Sequence, residues 1–496
     1  MITQLHTPQQ AANWLHTRVN GSLTTDSRKV GAGDGFIAWP GAATDARRYV
    51  GDVLNAGAGA CLVEMSGIDA YGFVDEKIAA YADLKSAAAP IAAAYFEEPS
   101  RHLQTIAITG TNGKTSTAWW LAQALGKLNR KCGVVGTLGI GTPGAMVFNG
   151  LTTPDPVLLQ QQLRRFVDDG FVACAIEASS IGIAEQRLSA THLQVAVLTN
   201  FTQDHMDYHG SMQAYWAAKE SLFSWPGLQS AVINIDDAKG QALCLKLKAC
   251  SIDVWTVAIN EPARLQAEAI EQQAGALRFD VVEGIERREV TTSAIGLYNV
   301  SNLLGVMGAL RALRISLEDA AKACSDLAGV PGRLNTLNQA GKPLVVIDYA
   351  HTADALEKVL LALRPIARAR GGLLWCVFGC GGDRDASKRP LMAATAQKNA
   401  DQLVVTSDNP RSENPAVIIS QILLGLTHSE SVGVQADRAL AIANAVVGAQ
   451  PADVVLLAGK GHEDYQEVQG IKYPFNDMKH AQTALGLRQP GPGASS

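Results

Sequence analysis

The sequence predicts an α/β protein built from three domains, and three observations support that fold class. The chain has 496 residues, which is enough for about three domains of roughly 100 to 200 residues each. Short apolar segments of strand length alternate with helical segments, which is typical of βαβ units and of mostly parallel sheets covered on both faces. Hydrophobic residues make up 47% of the chain, so each domain can bury a core.

Eight apolar segments mark the predicted strands and group them into sheets. The first group predicts a sheet between about 104 and 310, and the second predicts a sheet between about 343 and 490. A smaller α/β unit is expected before residue 85. The segments are 105–109, 171–176, 195–199, 231–235, 343–348, 373–378, 402–406 and 453–459.

Breaks in this pattern suggest where the domains meet. An alanine-rich helix ends at YFEEPSRH, and a proline-glycine pair in GVPGRLN interrupts a later helical region. We therefore expect a small N-terminal α/β domain over 1–88, a central domain with a mostly parallel sheet over 89–332 and a Rossmann-like C-terminal domain over 333–488. The low-complexity end RQPGPGASS predicts a disordered tail over 489–496.

Charge and cysteine content exclude several classes of protein. The net charge of −5 gives no overall basic field of the kind that holds nucleic acid or an anionic membrane. The start MITQLHTPQQ lacks a basic stretch followed by an apolar one, and no run of 18 apolar residues occurs. The eight cysteines include no C-x-x-C pair, which predicts buried free thiols in a reducing compartment. We therefore expect a cytoplasmic protein without a nucleic-acid or membrane partner.

The segment AITGTNGKTST (107–117) carries the strongest chemical signal. A strand runs into a glycine-rich turn and then a helix, so backbone N–H groups and the helix N-terminus can hold phosphates. Lys114 can reach the β- and γ-oxygens, and Thr115 can bind Mg²⁺. The general pattern has glycine where Ile108 stands, but a plain turn does not need Lys-Thr after Gly113. ATP or GTP binding by a P-loop ATPase-like central domain follows, with contacts from Gly110, Thr111, Asn112, Gly113, Lys114, Thr115 and Ser116.

Two strand ends near this loop carry further polar residues. Glu177 ends the strand FVACAI and can supply a carboxylate to Mg²⁺. The next strand leads into QDHMDYHG, which contains His205, Asp207 and His209. Helix capping or a solvated loop explains these three residues as well as a functional site does.

Lys219 occupies an unusual place in the predicted helix QAYWAAKESLF. Trp216, Lys219 and Phe223 are spaced i, i+3 and i+7, which puts the lysine in an apolar stripe. One interpretation is an aliphatic stem that packs on the stripe while its ammonium group reaches water. The other is a buried, neutral lysine that is available for covalent modification.

The stretch TSDNPRSENP (406–415) ends an apolar strand with a turn. Asp408, Asn409 and Pro410 are ordinary turn residues, but a turn does not explain Arg411. Ligands of open α/β sheets bind at the carboxyl ends of strands, so Arg411 is a candidate for binding a carboxylate. A surface turn is the alternative interpretation.

Taken together, these segments make the chain resemble the Mur ligases of peptidoglycan synthesis and the related folylpolyglutamate synthases. The shared motifs occur in family order over about residues 20 to 480, which makes the resemblance specific. They are GTNGKT, IEASS, TNFTQDHMDYHG, AAKESLF, GLYNVSNLL, the PGR turn and DYAHT. TTDSR, LTTPD, CGGDRD, DNPR and AGKGHEDYQ resemble the branch of the family that adds the third residue of the peptide.

The resemblance implies an ATP-dependent ligase that joins a carboxylate to an amine through an acyl phosphate and uses Mg²⁺. The residues implied as catalytic are Lys114, Glu177, His205 and Lys219. The implied metal site consists of Thr115, Glu177, His205 and Lys219, the last as a carbamate (N6-carboxylysine). Further nucleotide contacts are implied for Asn299, Arg333, Asp348 and His351.

The resemblance also implies two further substrates and a monomeric enzyme of peptidoglycan precursor synthesis. UDP-N-acetylmuramoyl-L-alanyl-D-glutamate would bind the N-terminal domain and contact Thr25, Ser27, Thr152, Thr153, Ser179 and Arg187. Meso-2,6-diaminopimelate would contact Arg384, Asp408, Asn409, Pro410, Arg411, Gly459 and Glu463. In family members that use this amino acid, the arginine of DNPR holds its distal carboxylate, while Glu463 would take the distal ammonium.

Two positions depart from the family pattern, and other functions stay open. Ile181 stands where the family usually has histidine and Glu185 where relatives often have glutamine, so no role is transferred to either. A lysine-adding ligase would leave Arg411 without a carboxylate. A folylpolyglutamate synthase would lack TTDSR and the complete N-terminal unit. A nucleotide-dependent binding or switch protein would use the phosphate loop without Glu177, Lys219 and an amino-acid site.

Overall fold

Three sheets follow one another along the chain. They contain five, eleven and six strands, and a two-stranded hairpin accompanies the third. The α/β class with three domains is thereby confirmed. The computed structural model describes residues 2–41, 44–273, 276–325 and 327–488, so the predicted tail over 489–496 lies outside the described residues.

The N-terminal sheet is parallel throughout. Its elements are β1 (Thr3–Leu5), α1 (Pro8–His16), β2 (Leu23–Thr24), β3 (Gly35–Ala38), α2 (Val50–Asn55), β4 (Ala60–Glu64), β5 (Ile78–Tyr81) and α3 (Leu84–Tyr95), and the strand order is β1-β5-β4-β3-β2. Leu84 and Ile91 of α3 pack with Leu15 and Leu62 in one core. Because α3 runs across residue 88, it straddles the predicted domain boundary, which stays a prediction along with the boundary at 332.

The central sheet surrounds the phosphate-loop motif. Its strands are β6 (Gln104–Thr109), β7 (Cys132–Gly136), β8 (Gly139–Thr142), β9 (Ala145–Val147), β10 (Ala173–Glu177), β11 (Val195–Leu198), β12 (Ser230–Asn234), β13 (Asp253–Ala258), β14 (Leu265–Gln273), β15 (Ala276–Glu283) and β16 (Glu286–Thr292). Its helices are α4 (Lys114–Lys127), α5 (Pro156–Asp168), α6 (Ser180–Ala184), α7 (Met206–His209), α8 (Met212–Glu220), α9 (Ala238–Leu247), α10 (Leu297–Ala312) and α11 (Leu317–Cys324).

The strand order of the central sheet is β16-β15-β14-β13-β12-β11-β6-β10-β7-β8-β9. Seven neighbouring strands pair in parallel, as the apolar segments predicted for the centre of the sheet. In spatial order they are β14, β13, β12, β11, β6, β10 and β7. Both edges are antiparallel, with the hairpins of β7 to β9 on one side and β14 to β16 on the other. The edge strands β14 to β16 carry many charged residues because one of their faces is open to water.

The C-terminal sheet has the Rossmann-like alternation that the sequence predicts. Its strands are β17 (Asn335–Leu337), β18 (Leu344–Asp348), β19 (Leu374–Phe378), β20 (Gln402–Val405), β21 (Gly433–Val434) and β22 (Val454–Ala458), in the order β17-β18-β22-β19-β20-β21, and the hairpin is β23 (Tyr465–Val468) with β24 (Ile471–Pro474). Its helices are α12 (Ala353–Arg370), α13 (Lys388–Asn399), α14 (Pro415–Leu423), α15 (Arg438–Gly448) and α16 (Asp477–Leu487).

Short 3₁₀ helices complete the secondary structure at Ser27–Lys29, Ala46–Tyr49, Ile68–Tyr71, Pro99–His102, Ser221–Ser224 and Ser429–Ser431. All eight predicted strands are present, each within two residues of its predicted ends. All eight cysteines are free and most are buried, as expected. Among the described residues, none of the helices combines the length and apolar character needed to cross a membrane.

The sheet order places the predicted site residues at two facing edges. Since β11, β6 and β10 are neighbours, their carboxyl ends bring together the loop after Asn200, the phosphate loop and Glu177. In the C-terminal sheet, the carboxyl ends of β18, β22 and β20 carry Asp348, Gly459 and Asp408. Ligands of parallel sheets bind at the carboxyl ends of the strands, so the predicted site residues lie at the ligand-binding edge of each of the two sheets.

A buried ion pair supports the ligand-binding edge of the C-terminal sheet. The side chains of Arg438 and Asp477 are both 0% exposed. Arg438 donates from Nε and Nη2 to the two carboxylate oxygens of Asp477 at 2.8 and 2.7 Å. It also donates to the carbonyl oxygens of Ser407 at 3.3 Å and Ala458 at 3.0 Å, which precede the strand-end residues of the site.

We predict that Arg438→Met strongly destabilises the C-terminal domain. The substitution leaves the Asp477 carboxylate buried without a partner, which costs about 3 to 5 kcal/mol. Arg287→Met on the edge strand β16 is the control and should leave the unfolding midpoint nearly unchanged, because exposed ion pairs contribute little to stability. Urea unfolding of both variants beside the wild type measures the difference, and equal midpoints would contradict a stabilising role of the pair.

Candidate active site

One cleft of about 1600 Å³ lies between the central and C-terminal sheets. Of the predicted site residues, only Gly110, Pro410, Thr25 and Ser27 do not border it. Those that border it are Thr111, Asn112, Gly113, Lys114, Thr115, Ser116, Thr152, Thr153, Glu177, Ser179, Arg187, His205, Lys219, Asn299, Arg333, Asp348, His351, Arg384, Asp408, Asn409, Arg411, Gly459 and Glu463. Motifs that are far apart in the sequence therefore meet in one place.

The backbone of the phosphate loop is hydrogen-bonded to Asn200, which follows the neighbouring strand β11. Thr111 N–H donates to the Asn200 carbonyl oxygen and Asn112 N–H to the Asn200 side-chain oxygen, both at 2.9 Å. Gly113 has a φ of +85°, and a Cβ atom there would lie 2.3 Å from Asn302 Oδ1. A side chain at this position would therefore collide with α10, which explains the glycine before the helix.

Lys114 folds back over the loop. Its Nζ donates to the carbonyl oxygens of Gly110 at 2.9 Å and Thr111 at 2.8 Å. Burial lowers the pKa of the Lys114 ammonium group. An ammonium group with only carbonyl partners is well placed to bind phosphate oxygens in the turn.

Lys219 is buried, as one of the two interpretations of its apolar stripe requires. The residue is 1% exposed and packs among the buried Trp216 and Phe223. Its Nζ donates to the Gly110 carbonyl oxygen at 2.7 Å and lies 4.6 Å from the centre of the Tyr215 ring. Burial lowers the pKa of Lys219 well below its ordinary value, and the nearby Lys114 lowers it further. A neutral amine is the form that reacts with electrophiles such as CO₂.

Glu177 and Thr115 form the part of the site that suits a hard cation. Thr115 Oγ1 donates to Glu177 Oε2 at 2.9 Å, and Thr137 N–H donates to Glu177 Oε1 at 2.8 Å. Carboxylate and hydroxyl oxygens are ligands that Mg²⁺ accepts. Among the described residues, no three His, Cys, Asp or Glu side chains form a metal site by themselves. The residues fit a cation whose other ligands come from phosphate oxygens and water.

Asp204 is a buried residue of the site that the sequence reasoning missed. Its carboxylate lies 3.5 Å from His205 Nε2, 3.7 Å from His351 Nε2 and 3.9 Å from Lys388 Nζ. Burial alone would raise the pKa of Asp204, but His351, His205 and Lys388 together hold it below its usual range. The only sequence signal was its position directly before His205, because its other partners come from the C-terminal domain.

Burial and Asp204 act in opposite directions on His205. Burial lowers the pKa of its imidazole to about 4, although Asp204 opposes that shift. The residue directly precedes α7 as its N-cap, with a φ of +57° in the left-handed region. A neutral imidazole keeps a nitrogen lone pair, which is what a metal ligand needs.

Residues of the C-terminal domain reach across to the phosphate loop. Arg333 Nη2 donates to Thr115 Oγ1 at 3.1 Å, and its guanidinium group lies 4.4 Å from the centre of the Tyr349 ring. Asp354 Oδ2 accepts from Asn112 Nδ2 at 2.9 Å. The nucleotide-binding loop is thus completed by both domains.

The remaining predicted nucleotide contacts are fixed by local hydrogen bonds. Asn299 Nδ2 donates to the Ile295 carbonyl oxygen at 2.8 Å. Asp348 accepts from the N–H groups of Leu334 and Ala350 at 2.8 Å each, and burial raises its pKa. His351 Nδ1 lies 2.8 Å from the Tyr349 carbonyl oxygen.

Arg411 borders the cleft from the C-terminal domain. Its Nη1 donates to the Gly382 carbonyl oxygen at 2.7 Å, and its Nε lies 3.5 Å from a Glu467 carboxylate oxygen. Its N–H donates to the Glu467 carbonyl oxygen at 3.0 Å, so the residue is tied to the edge of β23. The side chain is 19% exposed, which is low for an arginine of a surface turn.

The other residues predicted to contact the amino acid surround Arg411. Arg384 donates only to the Asp383 carbonyl oxygen, at 2.9 Å, among the hydrogen bonds of the described residues. Gly459 has a φ of +114°, and a Cβ atom there would lie 2.7 Å from Asp408 Oδ2. Glycine is therefore required where the two strand ends approach each other.

Hydroxyl groups connect Glu177 to the predicted peptide-binding residues. Thr153 Oγ1 donates to the Glu177 carbonyl oxygen at 2.7 Å and lies 2.9 Å from Ser179 Oγ. Arg187 Nη1 donates to the Thr153 carbonyl oxygen at 3.0 Å. Thr152 Oγ1 lies 3.0 Å from Thr137 Oγ1, which also contacts Glu177.

The two predicted residues of the N-terminal domain lie apart from the cleft. Thr25 lies beside the carboxyl group of Asp155, whose pKa burial raises. Ser27 begins a 3₁₀ helix whose N-cap is Asp26.

The two departures from the family pattern have different surroundings. Ile181 borders the cleft. Glu185 accepts a hydrogen bond from the Tyr208 hydroxyl group, and its carboxylate lies 2.7 Å from Lys85 Nζ of α3. Lys85 therefore offsets the charge that glutamate introduces at this position.

Comparisons with known proteins agree with this geometry. Residues 108–310 match the model of the Mur ligase middle domain, and residues 332–461 match that of the Mur ligase glutamate ligase domain. A protein of Acidovorax sp. (strain JS42) named UDP-N-acetylmuramoyl-L-alanyl-D-glutamate–2,6-diaminopimelate ligase is 55% identical over 491 residues, covering 98% of both chains. A protein of the same name from Janthinobacterium sp. (strain Marseille) is 47% identical over 490 residues, covering 96% of both chains. A solved structure of a ligase of that name is similar with a TM-score of 0.64 and 32% identity, covering 94% of each chain.

The chain therefore belongs to the Mur ligase family, and it is a ligase. Its relatives place it in one branch of that family, the UDP-N-acetylmuramoyl-L-alanyl-D-glutamate–2,6-diaminopimelate ligases.

We predict that Lys114→Ala lowers the rate of ligation by about 10² to 10³, because one of the groups that hold charge on the phosphates is lost. Lys127→Ala, at the other end of α4, is the matched control and should keep the wild-type rate. Steady-state turnover of ATP with the other substrates present measures both. Normal ATP turnover by Lys114→Ala would show that the loop does not bind the phosphates.

We predict that Lys219 carries a carbamate in the active protein, because burial lowers the pKa of its amine well below the ordinary value and the amine lies beside the phosphate loop. Lys219→Ala should nearly abolish ligation, and added short carboxylates should partly restore it. Lys239→Ala, on the exposed face of the neighbouring helix α9, is the control. An unmodified Lys219 in the active protein together with full activity of Lys219→Ala would refute the carbamate.

Proposed function

We propose that the protein uses ATP and Mg²⁺ to add meso-2,6-diaminopimelate to UDP-N-acetylmuramoyl-L-alanyl-D-glutamate, in the cytoplasmic synthesis of peptidoglycan precursors. The names of its relatives support these substrates. The observation that carries the proposal is that the phosphate loop and Arg411 border the same cleft. A nucleotide and a dicarboxylic amino acid can therefore occupy one site.

The three domains would each bind one substrate, in a monomeric enzyme. We assign the UDP-sugar to the N-terminal domain (1–88), ATP to the central domain (89–332) and the amino acid to the C-terminal domain (333–488). Thr25 and Ser27 lie apart from the cleft while Thr152, Thr153 and Arg187 border it. A UDP-sugar with a peptide arm has the length to contact both groups.

The proposed reaction brings anions together, and the cations of the cleft offset their repulsion. The D-glutamate carboxylate of the UDP-substrate takes the γ-phosphoryl group of ATP, and an amine of diaminopimelate then displaces phosphate to form the amide. Lys114 and Arg333 are placed to hold the transferring phosphoryl group. Such preorganised charge is the main source of catalysis in phosphoryl transfer.

Thr115, Glu177 and His205 would hold Mg²⁺, with Lys219 as its carbamate. When bound, Mg²⁺ supplies positive charge that shields the phosphate oxygens. Glu177 is oriented for this by Thr137, and His205 is kept neutral by burial. Carbamylation would convert the Lys219 amine, whose charged form burial and Lys114 disfavour, into a carboxylate that attracts Lys114.

The amino-acid end of the cleft provides groups of both signs. Arg411 and Arg384 can hold carboxylates, and Glu463 can accept the distal ammonium group. Asp408 and Gly459 form the close contact between the two strand ends. This set of charges complements a zwitterion at the far end of diaminopimelate.

A product assay separates this proposal from its alternatives. The protein is incubated with ATP, UDP-N-acetylmuramoyl-L-alanyl-D-glutamate and either diaminopimelate or lysine, and the products are weighed by mass spectrometry. The tripeptide containing diaminopimelate is expected. A lysine product would identify a lysine-adding ligase, and nucleotide binding without any product would identify a switch protein. Glutamylation of folate in a parallel incubation with ATP, folate and glutamate would identify a folylpolyglutamate synthase.

We predict that Arg411 selects diaminopimelate over lysine. The two amino acids differ at the distal carboxylate, and a charge-assisted contact to it contributes about 1.5 to 3 kcal/mol. Arg411→Ala should lower kcat/KM for diaminopimelate by roughly 10- to 100-fold while the KM for ATP stays unchanged. Gain of lysine use should be small because Arg384 and Glu463 still bind the shared groups.

The measurement is kcat/KM for both amino acids in the wild type and Arg411→Ala, with Arg278→Ala on the exposed strand β15 as control. If the ratio of kcat/KM between the two amino acids were unchanged in the variant, or if the wild type used lysine efficiently, Arg411 would have no role in selecting the substrate.

A further inference from the structure

Lys460 is a buried cation directly behind the amino-acid end of the cleft. It is 0% exposed and does not border the cleft, whereas Glu463, three residues later, does. A fully buried lysine is costly unless it has a charged partner and hydrogen bonds. The residues that contact the Lys460 ammonium group therefore indicate its role.

The Lys460 ammonium group binds two residues of the predicted amino-acid site. Nζ donates to Glu463 Oε2 at 2.9 Å and to Asn409 Oδ1 at 3.0 Å. Asn409 is 2% exposed, and its Nδ2 also donates to Glu463 Oε2, at 2.8 Å. The three side chains form a closed triangle of hydrogen bonds.

This triangle uses only one oxygen of the Glu463 carboxylate. Both donors contact Oε2, and no hydrogen bond within the described part of the chain reaches Oε1. The side chain is 15% exposed, so the carboxylate is reachable from the cleft. Glu463 is thus held in one orientation with an oxygen left over for a ligand.

We propose that Lys460 is a positioning residue for amine recognition, which fixes the charged Glu463 carboxylate so that Oε1 receives the distal ammonium group of the diamino acid. This inference rests on the proposed function and deepens it. Lys460 does not touch the substrate; it acts through Glu463. Without it, the carboxylate would lose its counter-charge and a donor that restricts its rotation.

The backbone supports the same arrangement. Asn409 Oδ1 also accepts from the Glu467 N–H at 3.0 Å, and Glu467 in turn lies beside Arg411. The network that orients Glu463 is therefore continuous with the segment that holds Arg411. The same hydrogen-bond network therefore positions Arg411, which would bind the distal carboxylate, and Glu463, which would bind the distal ammonium group.

The test compares two ligands that differ only in the distal amine. Diaminopimelate has this group, and 2-aminopimelate has the same chain and both carboxylates without it. We measure the KM of diaminopimelate and the inhibition constant of 2-aminopimelate in competition with it, at saturating ATP and UDP-substrate. The variants are Lys460→Met and Lys460→Gln, and Lys472→Met is the control because Lys472 contacts the same Tyr465 ring from the exposed strand β24.

We expect Lys460→Met to raise the KM of diaminopimelate by about 10- to 100-fold. The inhibition constant of 2-aminopimelate and the KM of ATP should change by less than about twofold. Lys460→Gln keeps a donor without the charge, so its effect should be smaller and in the same direction. The control should match the wild type.

Other results would overturn the positioning role. An unchanged KM in the variants, or equal losses for the two ligands, would show that Lys460 does not act on the amine. Failure of both variants to fold would assign Lys460 to stability alone. If the wild type itself made no tripeptide from diaminopimelate, the proposed function would fail instead, which separates the two outcomes.

Discussion

The carbonyl oxygen of Gly110 accepts hydrogen bonds from two lysines, at 2.9 Å from the half-buried Lys114 and 2.7 Å from the buried Lys219. Two ammonium groups that share one oxygen repel each other, and burial makes that repulsion strong. The arrangement is stable only if one lysine is neutral or if anions lie nearby. Burial, and to a smaller extent the nearby Lys114, lowers the pKa of Lys219. Burial also lowers the pKa of Lys114, but the carboxylates of Glu177 and Asp204 oppose that shift.

The charged groups around the phosphate loop come from both domains. Asp204 belongs to the central domain, but His351 and Lys388, which lie within 4 Å of its carboxylate, belong to the C-terminal domain. Arg333 and Asp354 also cross to the phosphate loop. The charge balance at the phosphate loop therefore depends on how the two domains meet, so binding of an anion and the position of the C-terminal domain are physically coupled.

The sequence predicted what depends on local pattern. Apolar runs located eight of the parallel strands but not others such as β7 and β13. The helical spacing of Lys219 put it in an apolar stripe but left open whether its ammonium group is buried or reaches water. The sequence did not reveal the antiparallel edge strands β14 to β16, whose polar composition lacks a continuous apolar run. Asp204 and Lys460 were missed because their partners are distant in the chain or on another strand end. Neither residue type nor spacing encodes such tertiary contacts.

The amino-acid end of the cleft illustrates how buried charge builds a rigid site. Arg438 binds the carbonyl oxygens of Ser407 and Ala458, each one residue before a predicted contact residue, Asp408 or Gly459. One guanidinium group thus sets the separation of two strand ends, because its donors have a fixed planar geometry. Lys460, which directly follows Gly459, donates a hydrogen bond to Glu463 and orients its carboxylate. Since both cations are satisfied without a ligand, the polar groups are held in place before the substrate arrives, and binding energy is not spent on arranging them.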